Sequence, residues 1–257
     1  MRKIILILVI ILLAAGIGYR ALNKNLRSPG SLPPRVSLPG EKIIYDVRLG
    51  RVNLGILSLT NIGMVKLENR MLNLTTAETT LAQFKDKENI YSDPRDFFPV
   101  RIERDITKWL LREKITEDYD QVNFVVTITK KVGGRTSKKQ IKSSSAIHNP
   151  MLLPYYLRHI PDLAVGKIIT ANLPSKRLEI ELVAVEDIRV PAGAFKTYHF
   201  VSKPPQTEIW ITADEQRIPV KIQDAGILSY SMLMRSYTPR SLDASNEINP
   251  AREIINP

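Results

Sequence analysis

Hydrophobic and polar residues alternate along much of the chain, with the period of a β-strand that buries one face. In Lys42–Leu49 the residues Ile43, Tyr45 and Val47 share one face. The same kind of pattern, bounded by turn residues, predicts further strands at Val52–Asn61, Gly63–Thr76, Val122–Lys130, Ser137–Ser145, Arg177–Glu186, Thr197–Val201, Glu208–Thr212, Pro219–Asp224 and Leu228–Tyr237. Two segments are interpreted as helical or loop-like instead, Thr79–Glu88 and Asn149–His159.

Eight or more strands joined by short turns predict a mainly β fold. We expect a curved antiparallel sheet or an incomplete β-barrel with one or two short helices, preceded by an N-terminal membrane or signal helix. The sequence places this single β-rich domain at residues 41–238. Gly133 and Gly134 lie between two predicted strands and indicate a tight hairpin there.

The amino end carries an uninterrupted apolar run. Arg2 and Lys3 precede Ile4–Tyr19, sixteen positions without an acidic or basic residue, which is short of the roughly twenty that span a bilayer. Residues 1–20 are therefore a signal peptide or an uncleaved signal anchor, and both remain open. Either places the domain in the periplasm or on the outer face of the inner membrane. Residues 21–40 are predicted to be a proline-rich linker, and residues 239–257 a flexible tail.

The composition excludes cysteine-based chemistry and indicates the kind of partner. The chain has no cysteine, which excludes disulfides, thiolate catalysis and a lipid-bearing cysteine of the bacterial lipoprotein type. Its formal net charge is +11, so anionic surfaces are plausible partners. Because an export signal argues against nucleic acid, an anionic membrane or a lipid is the expected partner, and envelope proteins are the alternative. The oligomeric state is left open.

The sequence contains no recognisable catalytic pattern. The three histidines, His148, His159 and His199, have no metal-ligand spacing. The acidic run Glu113–Asp120 alternates with basic and aromatic residues and is interpreted as a solvated turn between strands. We therefore predict a non-enzymatic protein with no catalytic residue, no metal site and no cofactor.

A basic hairpin is the most distinctive polar feature. No aspartate or glutamate occurs from Gln121 to Pro161, and six cations cluster around the predicted glycine turn: Lys130, Lys131, Arg135, Lys138, Lys139 and Lys142. One interpretation is contact with an anionic surface, since each basic residue near a charged membrane contributes about 1 kcal/mol. The other is a solubilising edge strand that resists strand pairing. Aromatic residues that would stack on single-stranded nucleic acid are missing from the hairpin.

A curved sheet that does not close leaves a concave apolar face, which a helix covers or a ligand fills. The aromatic residues proposed to line such a ligand site are Trp109, Tyr155, Tyr156 and Trp210. The simpler alternative is that these side chains belong to the core. The preferred function is therefore binding of a lipid or acyl chain in the concave sheet. The alternative is an envelope interaction module with a filled core and no ligand.

Five segments, in this order, resemble a family of exported bacterial proteins known as domain of unknown function 3108: GEKIIYDVRLGRVNLGILSL (Gly40–Leu59), SDPRDFFPVRIERD (Ser92–Asp105), NPMLLPYYLR (Asn149–Arg158), VPAGAFKTYHF (Val190–Phe200) and IWITADEQRIPVKIQ (Ile209–Gln223). The resemblance covers roughly Gly40 to Tyr237. It implies one β-rich domain, a half-barrel like the carriers that move lipoproteins across the periplasm, and it brings no catalytic residues. The basic hairpin departs from the family pattern.

Overall fold

The computed structural model describes residues 39–109, 111–224 and 230–239. Fourteen strands of this part of the chain form one sheet. The first eight are β1 (Lys42–Leu49), β2 (Val52–Leu67), β3 (Arg70–Leu81), β4 (Phe84–Ser92), β5 (Pro99–Lys108), β6 (Leu111–Asp120), β7 (Val125–Val132) and β8 (Arg135–Lys142). A short helix, α1 (Leu153–Arg158), precedes the other six: β9 (Ile168–Leu173), β10 (Lys176–Val190), β11 (Gly193–Lys203), β12 (Thr207–Thr212), β13 (Pro219–Asp224) and β14 (Tyr230–Thr238).

The sheet consists of two meanders that meet in the middle. Its order is β8-β7-β6-β5-β4-β3-β2-β1-β14-β13-β12-β11-β10-β9, and the neighbours pair antiparallel. β1 and β14 therefore lie at the centre, while β8 and β9 form the two edges. Among the described residues neither edge pairs with a further strand.

Irregular pairing near the centre curls the sheet. The register shifts between Ile44 and Tyr45 against β14, and between Val47 and Arg48 against β2. A third shift separates Asn61 and Gly63 against β3. An extra residue in one strand bends that strand and increases the local twist, which brings the two meanders towards each other.

The connection between β8 and β9 bridges the two meanders at one end. The Gln121 amide holds Ile147: its Oε1 accepts the Ile147 N–H (2.8 Å), and its Nε2 donates to the Ile147 carbonyl (2.9 Å). The next residue, His148, donates its N–H to the Asn172 carbonyl on β9 (2.6 Å). The backbone at residues 147–148 thus joins the turn after β6 to the opposite edge of the sheet.

The helix α1 is fixed on the sheet by a buried ion pair. The Arg158 guanidinium donates to both carboxylate oxygens of Glu41, at 2.7 and 2.9 Å, and both side chains are buried. It also donates to the Gln216 carbonyl (3.0 Å), and the Tyr237 hydroxyl donates to Glu41 (3.2 Å). Burial opposes the charge of Arg158, but its hydrogen bonds to Glu41 and the charge of that carboxylate raise the pKa of the guanidinium.

Two hydrophobic clusters form the core. The larger draws side chains from both meanders, including Tyr45 on β1, Ile102 on β5 and Met234 on β14. The smaller packs Leu153 and Leu157 of α1 against β9–β12. Side chains from facing parts of the curled sheet thus meet one another across its interior.

The predicted mainly β, antiparallel architecture is confirmed, including the hairpin of β7 and β8 around Gly133. The interpretation of Thr79–Glu88 as helical or loop-like was wrong, because β3 and β4 pair from Asn73 to Ser92 with a turn at residues 82–83. The interpretation of Glu113–Asp120 as a solvated turn was also wrong, since these residues form most of β6 and two of them are buried.

The predicted signal segment, the proline-rich linker up to residue 38 and the tail from residue 240 lie outside the described residues. Within the described part of the chain, no helix has the length and apolar character needed to cross a bilayer.

Candidate functional site

The basic hairpin of β7 and β8 lies at one edge of the sheet. β8 is exposed along nearly its whole length. Gly133 and Gly134 both adopt a positive φ in the turn, +51° and +77°, a conformation that glycine takes without steric penalty. The pairs Thr129–Lys138 and Ile128–Lys139 are directly opposite in the register, so successive lysines of β8 point to opposite faces of the sheet. The hairpin therefore presents positive charge on both faces.

One of the six predicted cations is engaged with an acidic side chain. Lys130 forms an ion pair with Glu113, which also lies 3.1 Å from the Lys108 ammonium. Burial alone would raise the pKa of Glu113, but the bonds to Lys130 and Lys108 lower it. Over the described residues, the other five hairpin cations make no ion pair, and all five are exposed: Lys131, Arg135, Lys138, Lys139 and Lys142. The unneutralised charge of the hairpin thus faces solvent.

The four aromatic residues predicted to line a ligand site have different surroundings. Tyr155 on α1 is 2% exposed and Trp210 on β12 is 4% exposed, and both belong to the larger core cluster. Tyr156 is partly buried against the smaller cluster. Trp109 lies in the turn after β5 and is 61% exposed. The structure does not bring these four side chains together.

Trp210 is held by polar groups as well as by packing. Its indole N–H donates to Glu186 (2.7 Å), and its ring stacks on His199 with centroids 4.1 Å apart. The Lys221 ammonium lies 3.8 Å from the ring centroid, a cation–π contact. His199 in turn lies 3.0 Å from a carboxylate oxygen of each of Glu186 and Glu208. These contacts fix the ring in place as part of the packed structure.

A cluster of largely buried charged side chains lies between β4 and β5, where the hydrophobic pattern predicted no strand. Arg104 pairs with Asp86 and lies 3.2 Å from Glu88, which is directly opposite it in the register. Burial raises the pKa of the Glu88 carboxyl to about 7, although the charge of Arg104 acts in the opposite direction. In the sequence this cluster is visible as charged residues at alternate positions, Asp86 and Glu88, with Arg104 on the facing strand. The alternation has the period of a β-strand, but these positions carry no apolar residues.

No group of three or more histidine, aspartate or glutamate side chains in the described ranges is arranged to hold a metal ion. His148 instead packs among rings, with centroids 4.6 Å from Phe98 and 4.7 Å from Tyr156. Its Nδ1 accepts the Asn172 N–H (3.1 Å), so this histidine forms part of the bridge between the meanders.

The burial of His148 leads to a pH-dependent stability. Burial lowers its pKa from 6.5 to about 4. Below pH 6.5 the unfolded chain takes up a proton that the folded protein does not, so this residue makes stability fall as the pH drops towards 4. We expect wild type to lose about 2–3 kcal/mol more than His148→Gln between pH 7.5 and 4.5. Urea unfolding of both proteins across this range measures the difference, and parallel curves would contradict the expectation.

The sequence matches the family model described as protein of unknown function (DUF3108) over residues 45–233, about three quarters of the chain. This chain belongs to that family. The match begins within β1 and ends within β14, so the DUF3108 segment includes parts of both central strands and the whole basic hairpin. The resemblance expected from the five sequence segments is thus confirmed.

Three solved structures are similar to the DUF3108 fold described above, each at low identity. A β-barrel-like protein of domain of unknown function DUF1849 from Brucella abortus is 8% identical, with a TM-score of 0.48, and the match covers 80% of this chain and all of the other. A candidate exported protein with a YmcC-like fold from Bacteroides fragilis is 11% identical, with a TM-score of 0.34 and coverage of 81% and 98%. A candidate lipoprotein from Parabacteroides distasonis is 11% identical, with a TM-score of 0.28 and coverage of 82% and 100%. No curated protein matches the sequence significantly.

Proposed function

We propose that this DUF3108 protein is a non-enzymatic, exported protein of the cell envelope that docks on an anionic membrane surface through the β7–β8 hairpin. The apolar stretch near its amino end supports export to the periplasm or to the outer face of the inner membrane. The observation that carries the docking function is the set of five exposed, unneutralised cations that extends from the turn of the β7–β8 hairpin along β8.

The position of the hairpin suits this role. It forms one edge of the sheet, so a flat surface reaches it without obstruction from a further strand. Five cations near an anionic surface at about 1 kcal/mol each suffice for recruitment. The same lysines protect β8 from pairing with a strand of another protein, and this second role is compatible with the first.

The packing of the aromatic residues favours a filled interior over the apolar ligand site considered from the sequence. Tyr155 and Trp210 lie within the larger core cluster, where neighbouring side chains surround them. Trp109 does not belong to that cluster and lies in an exposed turn. The proposal is therefore the interaction module with a filled core, with an anionic bilayer as the partner.

Charge reversal on the hairpin tests the docking function. We expect the triple variant Lys138→Glu, Lys139→Glu and Lys142→Glu to bind vesicles containing phosphatidylglycerol about 100-fold more weakly than wild type, because at least three attractive charges are lost. Co-sedimentation of the full chain with vesicles measures the affinity, and the difference should shrink in high salt.

A matched control separates this site from the net charge of the protein. Lys42, Lys66 and Lys196 are exposed lysines outside the hairpin, and their reversal changes the net charge by the same amount. We expect this control to retain most of the binding. Equal losses in the two triple variants would show that general positive charge, and not the hairpin, attracts the protein to the vesicles.

A further inference from the structure

The antiparallel order places four hairpin turns at the same end of the sheet. The chain reverses between β1 and β2, between β3 and β4, between β5 and β6, and between β7 and β8. Because consecutive strands run in opposite directions, these four turns share one end, which we call the tip end. It comprises the turns at residues 50–51, 82–83 and 133–134, and the connection between β5 and β6, in which Trp109 lies.

The tip end exposes large apolar side chains. Trp109 is 61% exposed, Leu111 next to its turn is 64% exposed, and Val52 at the start of β2 is 62% exposed. Trp109 also adopts a φ of +56°, which is rare for a bulky residue. Packing within the domain therefore does not account for a tryptophan at this position.

The backbone that carries the exposed indole is held in place. The backbone N–H of Trp109 donates to the Gln83 carbonyl (3.2 Å), so the turn after β5 is tied to the turn after β3. Between these two turns lies an open depression of about 420 Å³, lined by Ala82, Gln83, Lys85, Thr107 and Trp109. The apolar residues of the tip end thus lie beside two hairpins whose turns are joined by a backbone hydrogen bond.

Positive charge surrounds these apolar residues. Exposed cations at or beside the four turns are Arg51, Lys85, Lys131 and Arg135, together with Arg112, whose charge is paired with Asp105. The acidic residues nearby are engaged: Asp105 accepts a hydrogen bond from Arg112 (2.8 Å), and Glu113 pairs with Lys108 and Lys130. Apolar side chains within a basic rim match the chemistry of an anionic lipid surface.

We propose that the tip end inserts Trp109 and Leu111 into the interfacial region of an anionic phospholipid bilayer, while the surrounding cations contact the headgroups. This inference rests on the proposed docking function and adds the apolar anchor to it. Tryptophan favours this depth because its ring is apolar and its indole N–H remains near polar groups. Stable attachment generally needs two signals, and the tip end combines apolar residues with a basic patch.

The two tryptophans of the chain allow the insertion to be tested by fluorescence. Trp109 is exposed and Trp210 is buried, so insertion changes the fluorescence of Trp109 alone. Full-length protein is mixed with vesicles of phosphatidylcholine, with or without phosphatidylglycerol, and with dibrominated phosphatidylcholine as a quencher. The variants are Trp109→Phe, which leaves Trp210 as the only emitter, and the pair Trp109→Ser with Leu111→Ser. Both positions are exposed, and circular dichroism checks that the variants fold.

With phosphatidylglycerol present, wild type should show a blue-shifted emission and quenching by the brominated lipid. Trp109→Phe should show neither effect, and the double serine variant should bind about tenfold more weakly. A contrary result is binding that is salt-sensitive, shows no emission shift and has the same affinity in the double serine variant as in wild type. That result would overturn the insertion and leave the hairpin docking intact.

The remaining outcomes separate the two proposals. Insertion that survives reversal of Lys138, Lys139 and Lys142 would support the tip end and refute docking by the hairpin. No binding to vesicles of either composition would overturn both proposals. A blue shift that grows with protein concentration without lipid, and disappears in the double serine variant, would identify a second copy of this chain as the occupant and overturn the insertion.

Discussion

Gly55→Ala should destabilise the domain by about 3 kcal/mol or more, because this position has no room for a side chain. A Cβ atom at Gly55 would lie 2.0 Å from the Thr80 carbonyl oxygen and 3.0 Å from the Leu81 Cα on the neighbouring strand. Both are backbone atoms, so relief requires β2 and β3 to move apart. The adjacent register shift, at Val47 and Arg48, already bends the pairing with β1 on the other side.

Gly50→Ala is the matched control for this prediction. Gly50 also has a positive φ, +58°, but a Cβ there meets no atom within 4 Å. We expect a loss of about 1 kcal/mol from the backbone conformation alone. Urea unfolding of the two variants and wild type measures both free energies. Similar losses at the two positions would mean that the strands separate easily at Gly55 and that the expected clash is absent.

Arg158→Met should lower the free energy of unfolding by about 3–5 kcal/mol, because it leaves the Glu41 carboxylate buried without its partner. The variant also removes the hydrogen bond to the Gln216 carbonyl, which fixes α1 next to the loop before β13. The methionine keeps much of the side-chain volume, so the effect reports the lost charge and hydrogen bonds. Urea unfolding at neutral pH gives the value.

An exposed ion pair supplies the comparison. Lys87 lies 3.0 Å from Glu78, and both side chains are more than half exposed. Lys87→Met should change stability by less than about 1 kcal/mol. Adding Glu41→Gln to Arg158→Met should recover part of the loss, since the unpaired charge is then removed. If Arg158→Met is as mild as Lys87→Met, the buried pair does not fix the helix.

Strands with an apolar residue at every second position could be predicted from the sequence. β1 buries Ile43, Tyr45 and Val47 on one face, and the hairpin of β7 and β8 combines β-branched residues with a double-glycine turn. In such segments the burial pattern and the local backbone preference agree, so the sequence alone is sufficient.

β4, β5 and β6 could not be found in this way, because charged residues occupy buried positions in them. Glu88 lies opposite Arg104 and Asp86 pairs with the same guanidinium, while Glu113 is neutralised by Lys108 and Lys130. A charge becomes acceptable inside a protein only when its partner is present, and here every partner comes from another strand. The residue pattern within one strand contains no information about which charged residue of another strand will pair with it.

The candidate site likewise contains residues that the sequence reveals and residues that only the strand order brings together. The cations of the hairpin are close in sequence and were therefore visible as a cluster. The tip end gathers Trp109 and Leu111 with Lys85 and Arg51 from three different turns, so only the strand order reveals that they are neighbours. No glycine marks the turn at Trp109, and the positive φ of this residue is imposed by the hairpin.

The pairing of β1 with β14 determines the order in which the sheet can assemble. Each meander is built from local hairpins, whereas Lys42 meets Thr238 only when almost the entire domain is available. Contacts between distant segments form slowly, since a long loop must close first. A chain that emerges amino end first therefore keeps one side of β1 without its partner until the final strand arrives. The central pairing of β1 with β14 is therefore the last part of the sheet that can form.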